Sequence, residues 1–131
     1  MPWGYLLTVA LELPVLWYGL SPRHTRRQRW AAACWLTACT YPIVVLVLPL
    51  TVEVWWGRTA YVVVAEVFAP LAECALFLAT ERVRVDAVSK PLPTSFWNRH
   101  GRDLSAIVAA NLVSFLLGGW LVEQLARVFP G

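Results

Sequence analysis

Charged residues are scarce in this 131-residue chain, and their scarcity excludes most soluble folds. Asp, Glu, Lys and Arg make up 15% of the sequence, whereas 59% of it is hydrophobic. Soluble domains contain about 25% charged and about 45–50% apolar residues. A soluble domain of this length could not bury that much apolar surface. We therefore predict a single integral membrane domain over residues 1–131.

The sequence motifs of common enzymes are missing as well. The chain has no H-E-x-x-H, no G-x-S-x-G and no glycine-rich phosphate loop. Its three cysteines fall in apolar stretches without C-x-x-C spacing, which favours packing over redox chemistry. Both histidines lie in basic segments, so the apolar stretches offer no imidazole ligand for zinc or copper. We predict no catalytic residues, and a non-enzyme is the favoured interpretation.

Four apolar stretches are long enough to cross a bilayer, at about residues 2–20, 30–51, 59–80 and 104–124. Roughly 20 helical residues cover the hydrocarbon core of a membrane. Several of the eight tryptophans lie near the ends of these stretches, where indole rings favour the membrane interface. The predicted fold is all-α: an antiparallel bundle of four transmembrane helices with short loops, in which Asp103 is the predicted N-cap of the last helix.

Basic residues concentrate in two links between the apolar stretches. Residues 21–29 and 81–102 together hold nine of the eleven Lys and Arg residues. Basic links remain on the cytoplasmic side of a membrane. We therefore predict a multi-pass protein of the plasma (inner) membrane with both of these links cytoplasmic and both termini outside. This distribution also argues against a nucleic-acid interface, so the lipid bilayer is the expected partner.

Three glutamates, Glu12, Glu66 and Glu73, lie inside the apolar stretches. A charge at the bilayer centre costs on the order of 3 kcal/mol, so such residues mark functional or shielded positions. Each helix also has a polar face at helical spacing, and on the second helix that face includes Thr37. Counting depth from the predicted helix ends pairs Glu12 with Glu66, and Glu73 with Asn111. The residues predicted to form one buried polar site are Glu12, Glu66, Glu73, Asn111, Tyr41, Thr40 and Ser114.

Oxygen-rich side chains in a membrane point to one functional hypothesis and one structural alternative. In the first, the polar seam binds a proton, a hard cation or a small cationic substrate for transport; no other cofactor is implied. In the second, protonated glutamates only form interhelical hydrogen bonds worth about 0.6–2 kcal/mol each, in a structural or accessory subunit. Because four short helices enclose little volume, both hypotheses expect a homo-oligomer or a larger membrane partner.

The fourth helix carries a ridge of small residues, Ala106, Ala110, Ser114 and Gly118, at intervals of four. Such a ridge allows a partner helix to approach closely. In its size, its four predicted spans and the position of Glu12, the chain resembles the small multidrug resistance transporters, which work as dimers around such a residue. The resemblance covers architecture and Glu12 alone, since this chain has two further embedded glutamates and more basic loops.

Overall fold

The computed structural model describes residues 2–88 and 96–128, and nearly all of them are helical. The helices are α1 (Pro2–Gly19), α2 (Arg26–Pro42), α3 (Val54–Val88) and α4 (Phe96–Val128). Two π-helical segments, Ile43–Val47 and Pro49–Glu53, continue α2 towards α3. Neither of the two described ranges contains a β-strand, so the predicted all-α class is confirmed.

Two helical runs, Arg26–Arg82 and His100–Leu121, are long and apolar enough to cross a membrane. The first has 57 residues, which is about 85 Å of helix and far more than the roughly 30 Å of one bilayer core. This run bends at Gly57, whose φ of 83° and ψ of 173° are not helical. Beyond the bend, α3 returns to contact α2. These features agree with a membrane protein.

The helices pack around two apolar clusters with polar residues between them. α1 contacts α2 and α4, and α3 also contacts α2 and α4. The larger cluster lies at the end of the molecule that carries the 21–25 loop, and includes Leu16, Leu20, Leu36, Phe77 and Ile107. A smaller cluster of Leu48, Val52 and Ala65 joins the π-helical segments to α3. Because both ends are packed with apolar side chains, the polar side chains of the middle turns face one another.

The helix ends differ from the predicted links in two places. α2 begins at Arg26, because Thr25 and Gln28 form a capping box in which each side chain accepts a hydrogen bond from the other residue's backbone N–H. The predicted link 21–29 is therefore four residues too long at its C-terminal side. The predicted link 81–102 is also largely helical: α3 continues to Val88 and α4 begins at Phe96. Residues 81–88 contain no proline or glycine, and a helix of polar residues can extend beyond the membrane face. The prolines of that link, at 91 and 93, lie outside the described residues.

Asp103 is not the N-cap of α4, because the helix begins seven residues earlier. Its side chain is fully buried and binds the loop between α1 and α2 instead. Ser21 donates its backbone N–H to Asp103 Oδ1 at 2.6 Å, and its hydroxyl to Oδ2 at 3.1 Å. Arg23 Nη2 lies 2.5 Å from Oδ2, and His24 Nε2 lies 3.2 Å from the same atom. One carboxylate thus fixes the whole turn.

Two arginines satisfy the last carbonyl groups of α1, which have no partner within their own helix. Arg102 donates to the carbonyl oxygens of Gly19 at 2.9 Å and Tyr18 at 3.2 Å. Arg29 donates to the carbonyl oxygen of Trp17. We call the contacts of Gly19 and Ser21 with Arg102 and Asp103 the α1–α4 clamp. It holds the C-terminal end of α1 against the N-terminal part of α4.

The small-residue ridge of α4 packs on α1 of the same chain at this end. A Cβ atom added to Gly19 would lie 2.6 Å from the Cβ of Ala106. Ala106 and Ala110 are both buried. Glycine at position 19 is therefore required by the close approach of the two helices, as expected for small residues at helix contacts in membranes.

We expect Gly19→Ala to lower the free energy of unfolding by about 1–3 kcal/mol, the usual cost of overpacking. Gly118→Ala is the matched control, because a Cβ there meets no atom within 4 Å and alanine favours a helix by about 1 kcal/mol. Thermal unfolding in detergent should show a lower Tm for the first variant and an equal or higher Tm for the second. Equal Tm changes in both variants would contradict the close approach.

Candidate functional site

A cavity of about 260 Å³ lies between the four helices, next to the larger apolar cluster on the side away from the 21–25 loop. All seven residues of the predicted polar site line it: Glu12, Thr40, Tyr41, Glu66, Glu73, Asn111 and Ser114. Thr37, Gly118 and Gly119 contribute to the same walls. The structure therefore brings the predicted residues of all four helices to one place.

Glu12 of α1 is held by donors from two other helices. Its side chain is buried, with 2% of the residue exposed. Thr37 of α2 donates its hydroxyl to Glu12 Oε2 at 2.7 Å. Ser114 of α4 donates its hydroxyl to Glu12 Oε1 at 3.1 Å. Each carboxyl oxygen of Glu12 thus joins α1 to a different neighbour.

Glu73 of α3 repeats this arrangement with the same two helices. It is buried to the same degree as Glu12. Thr40 of α2 donates its hydroxyl to Glu73 Oε1 at 2.9 Å. Asn111 of α4 donates its side-chain N–H to Glu73 Oε2 at 2.8 Å. The Asn111 amide is held in place more firmly than the Thr40 hydroxyl, because its second N–H also donates to the carbonyl oxygen of Ile107 at 3.0 Å.

The four donors follow from simple helical spacing. Thr37 and Thr40 are three residues apart on α2, and Asn111 and Ser114 are three apart on α4, so each pair shares one face. Three residues of helix rise about 4.5 Å. Glu12 binds the earlier residue of the α2 pair and the later residue of the α4 pair, whereas Glu73 binds the other two. Because α2 and α4 both run away from the larger apolar cluster, these offsets cancel, and the two carboxyl groups lie side by side at about the same height.

The predicted pairing of Glu12 with Glu66 does not describe this geometry. Glu73 lies beside Glu12, whereas Glu66 lies two turns earlier in α3, about 10 Å from Glu73 in helical rise. Glu66 is partly exposed at the cavity wall and forms no hydrogen bond or ion pair with any described residue. The prediction counts the depth of each residue from the ends of the apolar stretches. This count is wrong for α3, because the helix extends well beyond its predicted C-terminal end.

Tyr41 contributes to the wall next to α1. Its ring packs edge-to-face against Tyr5, with centroids 5.8 Å apart, and its hydroxyl lies beside Gly4. Thr37 is a site residue that the sequence prediction missed, although its position on the polar face of α2, three residues before Thr40, was the available signal. Gly118 belongs to the small-residue ridge of the sequence analysis, whereas Gly119 carries no signal, because a glycine in an apolar helix does not reveal that it faces a void.

The charged side chains that line the cavity are acidic, and no basic side chain among its described lining residues balances them. Among the described residues that line it, three are glutamates and none is Lys, Arg or His. Within residues 2–88 and 96–128, no three His, Cys, Asp or Glu side chains are grouped as a metal site requires. No protein-family model, curated protein or solved structure matches the chain. The arrangement suits a proton or a small cation.

Proposed function

We propose that the chain crosses the bilayer four times, as an antiparallel bundle in the plasma (inner) membrane. The crossings are α1, α2 with its π-helical segments, α3 and α4, and the basic 21–25 loop lies on the cytoplasmic side with the α3–α4 link. The fold-back at Gly57 and the clamp between the 21–25 loop and α4 support this arrangement. The large exposed apolar side chains, among them Leu50, Leu71 and Leu116, then face lipid or a second subunit.

We infer that the cavity binds a small monovalent cation in exchange for a proton, and that the protein transports that cation. The observation that carries this proposal is the burial of two carboxyl groups side by side in a cavity whose described lining has no basic residue. Two negative charges so close together in a low-dielectric interior repel strongly. Hydroxyl and amide donors lessen this repulsion but supply no positive charge. A proton or a bound cation supplies it.

The ligand set favours a monovalent cation over a divalent metal. Carboxylate, hydroxyl and amide oxygens are ligands for hard ions. Ca²⁺ needs about 6–8 oxygen ligands, and Mg²⁺ demands a near-ideal octahedron. The cavity instead offers two carboxyl groups, each already bound by two side-chain donors, and the third glutamate, Glu66, lies about 10 Å of helical rise from Glu73. We therefore propose Na⁺ or a small organic ammonium ion as the class of ligand, with Glu66 on the outward path to the site.

Isothermal titration calorimetry with Na⁺ and with methylammonium tests this proposal. We expect Glu12→Gln and Glu73→Gln each to weaken binding by about tenfold or more, which corresponds to roughly 1.4 kcal/mol. Both variants should keep the wild-type Tm within a few degrees, because glutamine is isosteric. Glu53→Gln is the matched control, since Glu53 is the last residue of the second π-helical segment, away from the cavity lining, and pairs with the exposed Arg58. Wild-type affinity in both cavity variants would contradict the proposal.

One observation favours the structural alternative. Among the described residues, every buried side-chain nitrogen or oxygen atom already has a hydrogen-bond partner. A complete network is what an accessory subunit would need if its polar seam only specified helix pairing. This alternative predicts that the glutamine variants are silent, whereas Glu12→Ala and Glu73→Ala disturb assembly. The same calorimetry and unfolding measurements therefore separate the two functions.

A further inference from the structure

The three hydroxyl donors in the cavity each have a second acceptor on their own helix. Ser114 Oγ lies 3.1 Å from the carbonyl oxygen of Asn111 as well as 3.1 Å from Glu12. Thr37 and Thr40 have the same choice between a glutamate and a backbone carbonyl four residues earlier. A hydroxyl group has one hydrogen and donates to one acceptor at a time. Each of these interhelical bonds can therefore be released without leaving a buried hydrogen unsatisfied.

The hydrogen bond between Ser114 and Glu12 connects α4 to α1 in the middle of the helices. Among the described residues, the other hydrogen bonds between these helices and the turn after α1 belong to the α1–α4 clamp and the neighbouring Arg23 and His24. α1 is separately tied to α2, since Tyr5 donates to the carbonyl oxygen of Cys34 at 2.9 Å. Outward of Ser114, Gly118 and Gly119 face open space. We call the half of the α1–α4 contact that contains the clamp the inner half, and the half beyond Ser114 the outer half. The inner half is thus held firmly and the outer half weakly.

We propose that Ser114 is a latch that occupancy of Glu12 releases, which opens the cavity between the outer halves of α1 and α4. This inference rests on the proposed function. A proton or cation on Glu12 neutralises the negative charge that attracts the Ser114 hydroxyl, and the hydroxyl hydrogen turns to the carbonyl oxygen of Asn111. A charge-assisted bond, about twice as strong as a neutral one, is lost. The clamp remains closed, and Asn111 keeps α4 attached to Glu73 of α3.

The groups that face Glu12 decide how the latch responds to pH. α4 presents only Asn111 and Ser114, which do not titrate in the accessible range. On its own helix α1, the titratable group near Glu12 is Tyr5. The groups on the other helices are Cys34 and Tyr41 of α2, and Glu66 and Glu73 of α3. Lowering the pH from 8 to 5 therefore adds protons to the carboxyl groups.

Distances between pairs of spin labels test the latch in purified full-length protein. The outer pair replaces the exposed Leu6 of α1 and Leu117 of α4, and the inner pair replaces the exposed Tyr18 and Val108 near the clamp. The three native cysteines are replaced by alanine in all samples. On going from pH 8 to pH 5, we expect the outer distance to grow by about 5 Å, half a helix diameter. The inner distance should stay the same.

Variants of Ser114 identify the hydroxyl as the cause. In Ser114→Ala, the outer distance should already be long at pH 8 and should not respond to pH, whereas Ser114→Thr should behave as the wild type does. Ser105→Ala is the matched control, because Ser105 also donates to a carbonyl of its own helix, that of Gly101 at 2.8 Å, but faces no glutamate. Methylammonium at pH 8 should lengthen the outer distance as acid does.

The latch and the proposed function fail separately. An outer distance that is the same in wild type and Ser114→Ala under all conditions would overturn the latch, even if Glu12→Gln loses cation binding. Equal lengthening of the outer and inner pairs would also overturn it, because the clamp would then not act as a hinge. Outer opening by acid that Ser114→Ala removes supports the latch, even if calorimetry finds no cation binding.

Discussion

Replacing Asp103 by alanine is expected to lower the free energy of unfolding by about 3–5 kcal/mol, the cost of removing one partner of a buried charge pair. The carboxylate of Asp103 is fully buried and receives the backbone N–H and hydroxyl of Ser21 together with the guanidinium of Arg23. Its loss leaves these donors unsatisfied beside the buried His24. Thermal or denaturant unfolding in detergent micelles measures the effect.

The matched control for Asp103→Ala is Glu53→Ala, which removes a carboxylate whose arginine partner, Arg58, is 73% exposed. Exposed ion pairs contribute roughly 0.2–1 kcal/mol, so this variant should unfold close to the wild type. A third variant, Asp103→Asn, keeps the size of the side chain and one acceptor oxygen, and should fall between the two. If Asp103→Ala unfolds like Glu53→Ala, the clamp does not hold α1 against α4 as described.

Filling the cavity from Gly118 is expected to weaken cation binding by about 10–100-fold. A Cβ at Gly118 meets no atom within 4 Å, and the residue lines the same cavity as Glu12 and Glu73. A leucine there occupies the space that the ligand needs, and excess side-chain volume of this kind costs about 1–3 kcal/mol when the ligand must share it. Calorimetry with methylammonium measures the loss.

Stability separates this effect from simple unfolding. Because Gly118 lies inside a helix, replacing it by leucine or alanine favours the helix by a few tenths to about 1 kcal/mol. Gly118→Leu should therefore keep or raise the Tm while binding falls, and Gly118→Ala should bind nearly as the wild type does. Unchanged binding in Gly118→Leu would mean that the ligand does not enter this cavity.

Helical periodicity is sufficient to predict which residues line the cavity. Residues three or four apart share a helix face, and a polar face in an apolar helix must turn away from lipid. From the sequence alone, these two rules select Glu12, Glu73 and Asn111. The pairing of Glu73 with Asn111 also follows, because both lie at similar distances from the ends of their apolar stretches.

The relative heights of Glu12 and Glu66 cannot be predicted in the same way. Helices tilt and extend beyond the membrane face, and an error of three residues at one end shifts a side chain by about 4.5 Å. The predicted N-terminal boundary of α4 is wrong for a related reason, since the helical turns before Asp103 are polar and have no apolar pattern. The role of Asp103 depends on Ser21, 82 residues earlier in the chain. Such a long-range contact leaves no local signal in one sequence.

The central claim is that Glu12 and Glu73 hold a cation in exchange for a proton. Proton release on cation binding measures this exchange directly, in weakly buffered detergent solution with a pH-sensitive dye. Adding methylammonium or Na⁺ should release protons from the wild type and from Glu53→Gln, and none from the double variant Glu12→Gln/Glu73→Gln. No release from the wild type, or the same release from the double variant, would contradict the claim.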